Sequence, residues 1–314
     1  MNQPIELSPI QNRIVELKHR KNAVILAHYY QRPEIQQIAD YVGDSLELSR
    51  KASEITAEIL VFCGVHFMAE TAKILNPESR VLLPDLNAGC SLADSCPLTE
   101  FLHWKRKYPE HIVVSYINCS AEIKAISDYV CTSANAIKII NSIPKNQKII
   151  FTPDQNLGRY LIQETGKEMV LWDGVCAVHE AFSVGKLIEL SLSYPTAKIL
   201  AHPESKSEIL KIAHFTGSTT AMIKYVVESP ADTFLIGTEA GILYQIKEFS
   251  PDKHLIPIPT EEDNTCACSE CAFMKVNTIQ KVLDCLQSES HEIILDPMIQ
   301  YLASIPIQRM LQLS

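Results

Sequence analysis

Three loops of this chain carry cysteine where an α/β protein keeps its chemistry. The first reads Leu83-Pro84-Asp85-Leu86-Asn87-Ala88-Gly89-Cys90, the second Trp172-Asp173-Gly174-Val175-Cys176, the third Thr265-Cys266-Ala267-Cys268-Ser269-Glu270-Cys271. Each follows a short apolar run of strand type, and ligands of open α/β sheets bind beyond the carboxyl ends of the strands. One thiolate from each loop would make a three-cysteine site. Structural zinc takes four ligands, often from paired Cys-x-x-Cys knuckles, and this chain has a single such pair, Cys268 and Cys271. Iron–sulfur clusters normally take four cysteines, so three thiolates on a cubane leave one iron without a protein ligand. That iron would serve as a Lewis acid on carboxylate or hydroxyl oxygens. Taken singly, Cys90 and Cys176 would read as packed thiols; their matched loop positions argue for the site.

Spacing sorts the polar residues as well. Ser45, Ser133 and Thr219 lie 88 and 86 residues apart. Seventeen positions upstream of them stand His28, Tyr116 and His202, and two further on come Tyr30, Asn118 and Glu204. The stretches Ile38-Ala39-Asp40-Tyr41-Val42-Gly43-Asp44-Ser45, Ile126-Ser127-Asp128-Tyr129-Val130-Cys131-Thr132-Ser133 and Ile212-Ala213-His214-Phe215-Thr216-Gly217-Ser218-Thr219 read as one helical segment written three times. Repeats outrank local motifs as a guide to architecture. Ser45, Ser133 and Thr219 are expected to be N-caps. Helix starts also hold anions, so three equivalent ones suit a substrate with several anionic groups. His28 and His202 fall at equivalent strand ends, with His179 near the same centre. Glu204 is suited to general acid or base work if its pKa is tuned, and Tyr30 and Tyr116 offer hydroxyl donors. Cys63, Cys119, Cys131 and Cys285 sit in or beside apolar elements and are expected to pack.

A repeated scaffold must position these groups. Short, β-branched, non-alternating runs at 23–26, 59–62, 81–83, 112–115, 148–151, 169–172, 198–200, 233–236 and 254–258 read as strands buried on both faces of parallel sheets. Helical spacing between them, as in Ile35, Ile38, Ala39 and Val42, implies right-handed βα crossovers. Nine strands in three groups give three related α/β units, 1–95, 96–180 and 181–271, with a helical tail at 272–314 packing on the first. The 314 residues carry 28 Lys+Arg against 37 Asp+Glu, a net charge of −9, and are 46% hydrophobic. That apolar content excludes a disordered chain. The acidity argues against non-specific nucleic-acid binding and against a basic membrane-surface protein. No apolar run spans a bilayer, and the N-terminus shows no signal peptide, so a cytoplasmic protein is expected, where ten cysteines are not a disulfide framework. The ten glycines never fall two apart, which excludes the Gly-x-Gly-x-x-Gly dinucleotide fingerprint.

The chain resembles the quinolinate synthase family, the iron–sulfur enzymes of NAD biosynthesis. The likeness rests on Ala27-His28-Tyr29-Tyr30, Val42-Gly43-Asp44-Ser45, residues 84–90, Tyr116-Ile117-Asn118, Ala121-Glu122-Ile123-Lys124-Ala125 and Cys131-Thr132-Ser133-Ala134-Asn135-Ala136. It continues through residues 172–179, Ala201-His202-Pro203-Glu204, Gly217-Ser218-Thr219 and Cys271-Ala272-Phe273-Met274-Lys275. Ala272, Asp173 and Cys119 depart from residues commoner in the family (Pro, Pro and Thr). The resemblance implies three pseudo-threefold-related Rossmann-like units around a central [4Fe–4S] cluster. It implies condensation of iminoaspartate with dihydroxyacetone phosphate to quinolinate, with loss of phosphate and two waters. Carried over by position, Cys90, Cys176 and Cys271 are the cluster ligands. Cys271 is preferred to Cys268 because Met274-Lys275 follows it in register. His28, Ser45, Ser133, His179, His202, Ser218 and Thr219 would line the carboxylate and phosphate sites. Tyr30, Tyr116, Asn118 and Glu204 would surround the reacting atoms, with Glu204 and Tyr30 moving protons. An upstream aspartate oxidase or dehydrogenase would supply the imine. Two other readings of the cysteines stay open: an aconitase-like hydro-lyase with the same open iron, and a non-catalytic zinc protein using Cys266, Cys268, Cys271 and a fourth residue.

Overall fold

The computed structural model describes residues 6–261 and 269–314. Cys266 and Cys268 therefore lie outside the described residues. The described strands number twelve and form three four-stranded sheets, every pairing parallel. They are β1 (Ala23–His28), β2 (Tyr41–Gly43), β3 (Ile59–Cys63), β4 (Arg80–Leu82), β5 (Ile112–Tyr116), β6 (Tyr129–Cys131), β7 (Ile149–Thr152), β8 (Met169–Leu171), β9 (Lys198–Ala201), β10 (Phe215–Thr216), β11 (Thr233–Gly237) and β12 (His254–Pro257). The order is the same in each sheet: β2-β1-β3-β4, β6-β5-β7-β8 and β10-β9-β11-β12. With helices between successive strands, these are the three related α/β units that the sequence repeat announced.

The strands β2, β6 and β10 depart from the sequence reading, which placed their residues in helices. They are two or three residues long and sit at a sheet edge. A repeated pin holds each sheet there. Asp40 Oδ2 accepts the Ile25 N–H and Asp128 Oδ2 the Val113 N–H, both at 2.8 Å, and His214 Nδ1 accepts the Ile199 N–H at 3.1 Å. The backbone N–H groups of Asp40, Asp128 and His214 return to the carbonyls of the same three partners. Two hydrogen bonds at the first position fix the register, so the segment continues as strand although its apolar spacing also suits a helix.

The chain forms two compact units. Met1–Gly89 with Ala272–Leu295 makes the first and holds the first sheet; Cys90–Cys271 with Asp296–Ser314 makes the second and holds the other two. The tail contributes residues to each. The helix Pro9–Arg20 packs against Ile279–Ser288 in the first unit, whereas the helix Pro297–Gln312 packs on Ala121–Ala125 and β6 in the second. In the first unit Ile14, Leu17, Ile25, Ala27, Ile59, Val61, Val282 and Leu286 form one continuous core. In the second, Phe101, Val113, Ile123 and Ile150 centre one cluster, and Phe182, Leu187, Leu235 and Ile258 another. Each fully buried aliphatic side chain contributes roughly 1.5–3 kcal/mol. No helix of the described residues is long and apolar enough to cross a membrane.

Candidate active site

The cysteine loops are held to their sheets by one bond at one register. His66 N–H donates to Ala88 O at 2.7 Å, Gln155 N–H to Gly174 O at 2.8 Å, and Ala240 N–H to Ser269 O at 3.0 Å. Each acceptor lies two residues before a cysteine: Cys90, Cys176 and Cys271. The residue of the third loop in register with Cys90 and Cys176 is therefore Cys271. In the second loop the approach is close enough to require glycine, since a Cβ on Gly174 would stand 2.5 Å from Pro153 O and from Ser95 Oγ. Each cysteine directly precedes a short helix, Ser91–Asp94, Ala177–Glu180 or Ala272–Lys275.

Within the second unit the three thiols lie close enough to influence one another. Burial pushes the Cys90 thiol up to about 12, opposed by the Ala93 and Leu92 N–H groups, with Cys271 and Glu204 adding to the rise. Cys176 is also raised well above the usual thiol range, first by burial and then by Glu204 and Cys90. All three residues are only half-buried by surface area, yet protein atoms crowd the sulfurs of Cys90 and Cys176. Thiols held so high are poor free nucleophiles. A bound metal takes the proton's place and turns them into ligands.

Beside Cys176 the ends of β5 and β9 assemble a polar cluster. Tyr116 Oη donates to Glu204 Oε1 at 2.5 Å. His179 Nδ1 stands 3.2 Å from Cys176 Sγ and 3.3 Å from Glu204 Oε2, and its Nε2 lies 3.0 Å from Thr238 Oγ1. His202 stacks on His179 with ring centroids 4.8 Å apart. The Glu204 N–H donates to His202 Nδ1 at 3.4 Å, which assigns the ring proton to Nε2, 3.1 Å from Ser133 Oγ. Burial, opposed by the Glu204 charge and reinforced by His179, pushes His202 down to about 3, so the ring is neutral at neutral pH. Burial works against ionising Glu204, but His179, His202 and the Tyr116 hydroxyl outweigh it and bring the carboxyl to about 2.

Glu204 Oε2 makes no hydrogen bond among the described residues, with His179 Nδ1 standing 3.3 Å away. A buried orphan acceptor is costly, and it sits where Cys176, His179 and Glu204 bring ligand atoms within 4.8 Å of one another. The donor set and the orphan oxygen fit a metal centre with substrate beside it.

Other sequence candidates fall in different places. His28 and Tyr30 lie at the end of β1 in the first unit, where the Tyr30 N–H donates to His28 Nδ1 at 3.2 Å, the same bond that Glu204 makes to His202. Lys275 Nζ holds the Tyr30 carbonyl at 2.7 Å. Asn118 Oδ1 is buried without a partner among the described residues. The expected caps shift position. Asp44, not Ser45, caps the helix Ser45–Glu54, accepting from the Leu46 and Glu47 N–H groups in a capping box with Glu47. Ser218, not Thr219, caps Thr219–Glu228. The helix Ala136–Ser142 starts after Asn135, two residues beyond Ser133. The Asp44 carboxylate meets two N–H groups at once, and Ser133, off the helix start, faces His202 Nε2 at 3.1 Å. The sequence reading missed Asp154, Thr238 and Glu239. Asp154 and Glu239 are fully buried and each stands two residues past the end of its strand, β7 or β11. Extending the repeat comparison to those strand ends would have found them.

Within the second unit, histidine, tyrosine and carboxylate at the ends of parallel strands beside neighbouring thiols define an α/β protein with a candidate metal centre. The model of the quinolinate synthetase A protein family (NadA) matches residues 12–312. The chain is 56% identical over 301 residues to the quinolinate synthase of Gloeothece citriformis, covering 96% of this chain and 93% of that one. It is 55% identical to the quinolinate synthase of a Nostoc species and 56% to that of a Synechocystis species, covering 96% of this chain and 92% and 94% of theirs. The chain belongs to the quinolinate synthetase A family.

Proposed function

We propose that this protein condenses iminoaspartate with dihydroxyacetone phosphate to quinolinate, releasing phosphate and two waters, on a [4Fe–4S] cluster held by Cys90, Cys176 and Cys271. When bound, the cluster would supply a Lewis-acidic iron lacking a protein ligand, for a substrate carboxylate and a neighbouring heteroatom. The observation that carries the reading is the meeting of Glu204 with Tyr116, His179 and His202 beside Cys176.

Glu204 is ionised and weakly basic, so a proton it accepts is passed on rather than kept, with His202 Nδ1 in reach to receive it at 3.4 Å from Oε1 while Tyr116 Oη steadies the carboxylate as a donor. Neutral His202 and Ser133 Oγ offer hydrogen bonds without a charge. His179 is oriented by Thr238 and bridges the thiol and the carboxylate. Tyr30 is assigned as the second proton carrier. His28, Ser45, Asn118, Ser218 and Thr219 are assigned to the substrate carboxylates and phosphate. Both substrates are small anions, and an aspartate oxidase or dehydrogenase upstream would supply the imine. A cytoplasmic setting would keep the thiols reduced.

The test is to purify the chain without oxygen, measure iron and acid-labile sulfide, and assay quinolinate from the two substrates. About four of each per chain, with quinolinate formed, is the expected result. An intact cluster that dehydrates a hydroxy acid and makes no quinolinate would move the assignment to an aconitase-like hydro-lyase. Zinc without sulfide would move it to a zinc protein.

A further inference from the structure

The loops carrying Cys176 and Cys271 share a second contact. Glu239 is fully buried, and its Oε1 accepts the Cys271 N–H at 3.1 Å while Oε2 accepts the Gly241 N–H at 2.7 Å. The matching residue of the preceding unit is Asp154. Pairing of Ser115 with Thr152 and of Ala201 with Gly237 sets the equivalence, since Asp154 and Glu239 each follow by two. Asp154 is also fully buried. Its Oδ1 accepts the Leu157 N–H at 2.7 Å, while its Oδ2 makes no hydrogen bond among the described residues and the Cys176 N–H lies near the carboxyl. In both repeats, then, a buried carboxyl lies at the N–H of the cysteine, hydrogen-bonded to it in the case of Glu239, and the next residue's N–H binds the carbonyl two before that cysteine. Two anchors on a three-residue stretch fix the direction in which the cysteine side chain leaves the backbone. In the first unit the corresponding residue is Val65, and only the backbone bond from His66 to Ala88 remains.

We propose that Asp154 and Glu239 are positioning residues that hold Cys176 and Cys271 in ligating orientation, a role that Val65 cannot play for Cys90. A buried acid is expensive to keep unless polar groups meet it, and the Cys271 N–H is one of the groups that meet Glu239. Asp154 caps the following helix through Leu157 and lies at the Cys176 loop with its second oxygen unbonded among the described residues. Groups behind metal ligands commonly set affinity by about 10–100-fold. The proposal rests on the reading of these cysteines as cluster ligands, but its first test does not.

Glu239→Leu removes both acceptors at similar size, whereas Glu239→Gln keeps an oxygen for the Cys271 N–H. Asp154→Leu and Asp154→Asn form the matching pair. In the first arm the metal-free full chain is alkylated with iodoacetamide, and the rate at each cysteine is read by peptide mass spectrometry. Glu239→Leu should speed labelling of Cys271 by roughly tenfold, and Asp154→Leu that of Cys176, as local openings become easier, with Cys90 unchanged. The Gln and Asn variants should restore rates near the parent's. Equal acceleration at all three cysteines would mean general loosening and would overturn the proposal, as would unchanged rates. In the second arm the anaerobically loaded protein is challenged with an iron chelator. Release from the Leu variants should be about 10–100-fold faster than from the parent; release within about twofold, with the cluster fully loaded, would also overturn it. A parent chain that holds no cluster sinks the cluster reading instead, and leaves the labelling arm to decide the positioning role.

Discussion

Tyr116 and Glu204 are 88 residues apart and meet at 2.5 Å, although they are not counterparts in the repeat. Tyr116 occupies the position of His202, and Glu204 that of Asn118. One scaffold position has thus become histidine, tyrosine and histidine, and the position two further on tyrosine, asparagine and glutamate. The repeat supplies equivalent strand ends, and the chemistry comes from filling them differently.

Removing the charge of Glu204 tests that meeting. Glu204→Gln keeps the shape and still accepts from Tyr116, but it cannot take a proton. Turnover should fall by about 10²–10⁴-fold, with iron and sulfide unchanged from the parent. Tyr116→Phe should fall less, because the carboxylate remains. Retained turnover in Glu204→Gln, measured as quinolinate formed at saturating substrate, would reduce Glu204 to a packing or binding residue.

Gly174 tests the second cysteine loop without touching a ligand. A methyl group there would meet Pro153 O and Ser95 Oγ at 2.5 Å, so the loop has to move. Gly174→Ala should cost about 1–3 kcal/mol and lower the iron bound after anaerobic loading. A variant with an unchanged thermal midpoint and full iron would show that the loop tolerates displacement.

Much of this was legible in the sequence, and the misses have physical causes. The 88- and 86-residue spacing places His28 and Tyr116 on the last residues of β1 and β5 and His202 one past β9, because the repeat keeps the register between a strand's end and the segment that follows it although the strands differ in length. Strands β2, β6 and β10 were hidden because two or three residues carry no period, and because Asp40, Asp128 and His214 act through side-chain bonds to a distant strand. Helix starts slipped by a residue because Asp44 and Ser218 compete with their neighbours for the same N–H groups. Asp154 and Glu239 look like surface acids in a linear reading. Their burial follows from loops that return more than 20 residues later, which no local pattern reports.

The cysteines should separate into two groups when replaced one at a time. Cys90→Ala, Cys176→Ala and Cys271→Ala should each lose most iron and sulfide while keeping the fold. Cys131 is fully buried at the end of β6, and burial raises its thiol far above the usual range. Cys131→Ala should keep the cluster and lose about 1 kcal/mol of stability. Full iron and sulfide in both Cys90→Ala and Cys176→Ala would end the three-ligand assignment.

His202 makes stability depend on pH with a definite sign. In the unfolded chain a histidine titrates near 6.5, whereas here burial holds it down to about 3. Below 6.5 the unfolded state takes up a proton that the folded state refuses, so unfolding becomes easier as pH falls. The stability from the neutral ring is complete above 6.5 and is lost as pH falls towards 3. Glu204 acts with the same sign but only below its unfolded value of 4.5, since its carboxyl stays ionised to about 2. The interval from 4.5 to 6.5 therefore isolates His202 from Glu204. In the parent this one proton should contribute a loss of roughly 1 kcal/mol per pH unit over that interval. His202→Gln has no proton to take up, so its urea midpoint should fall less steeply from pH 6.5 to 4.5. Parallel slopes for parent and variant would mean that the folded ring titrates as it does in water, and that His202 is not held neutral beside Glu204.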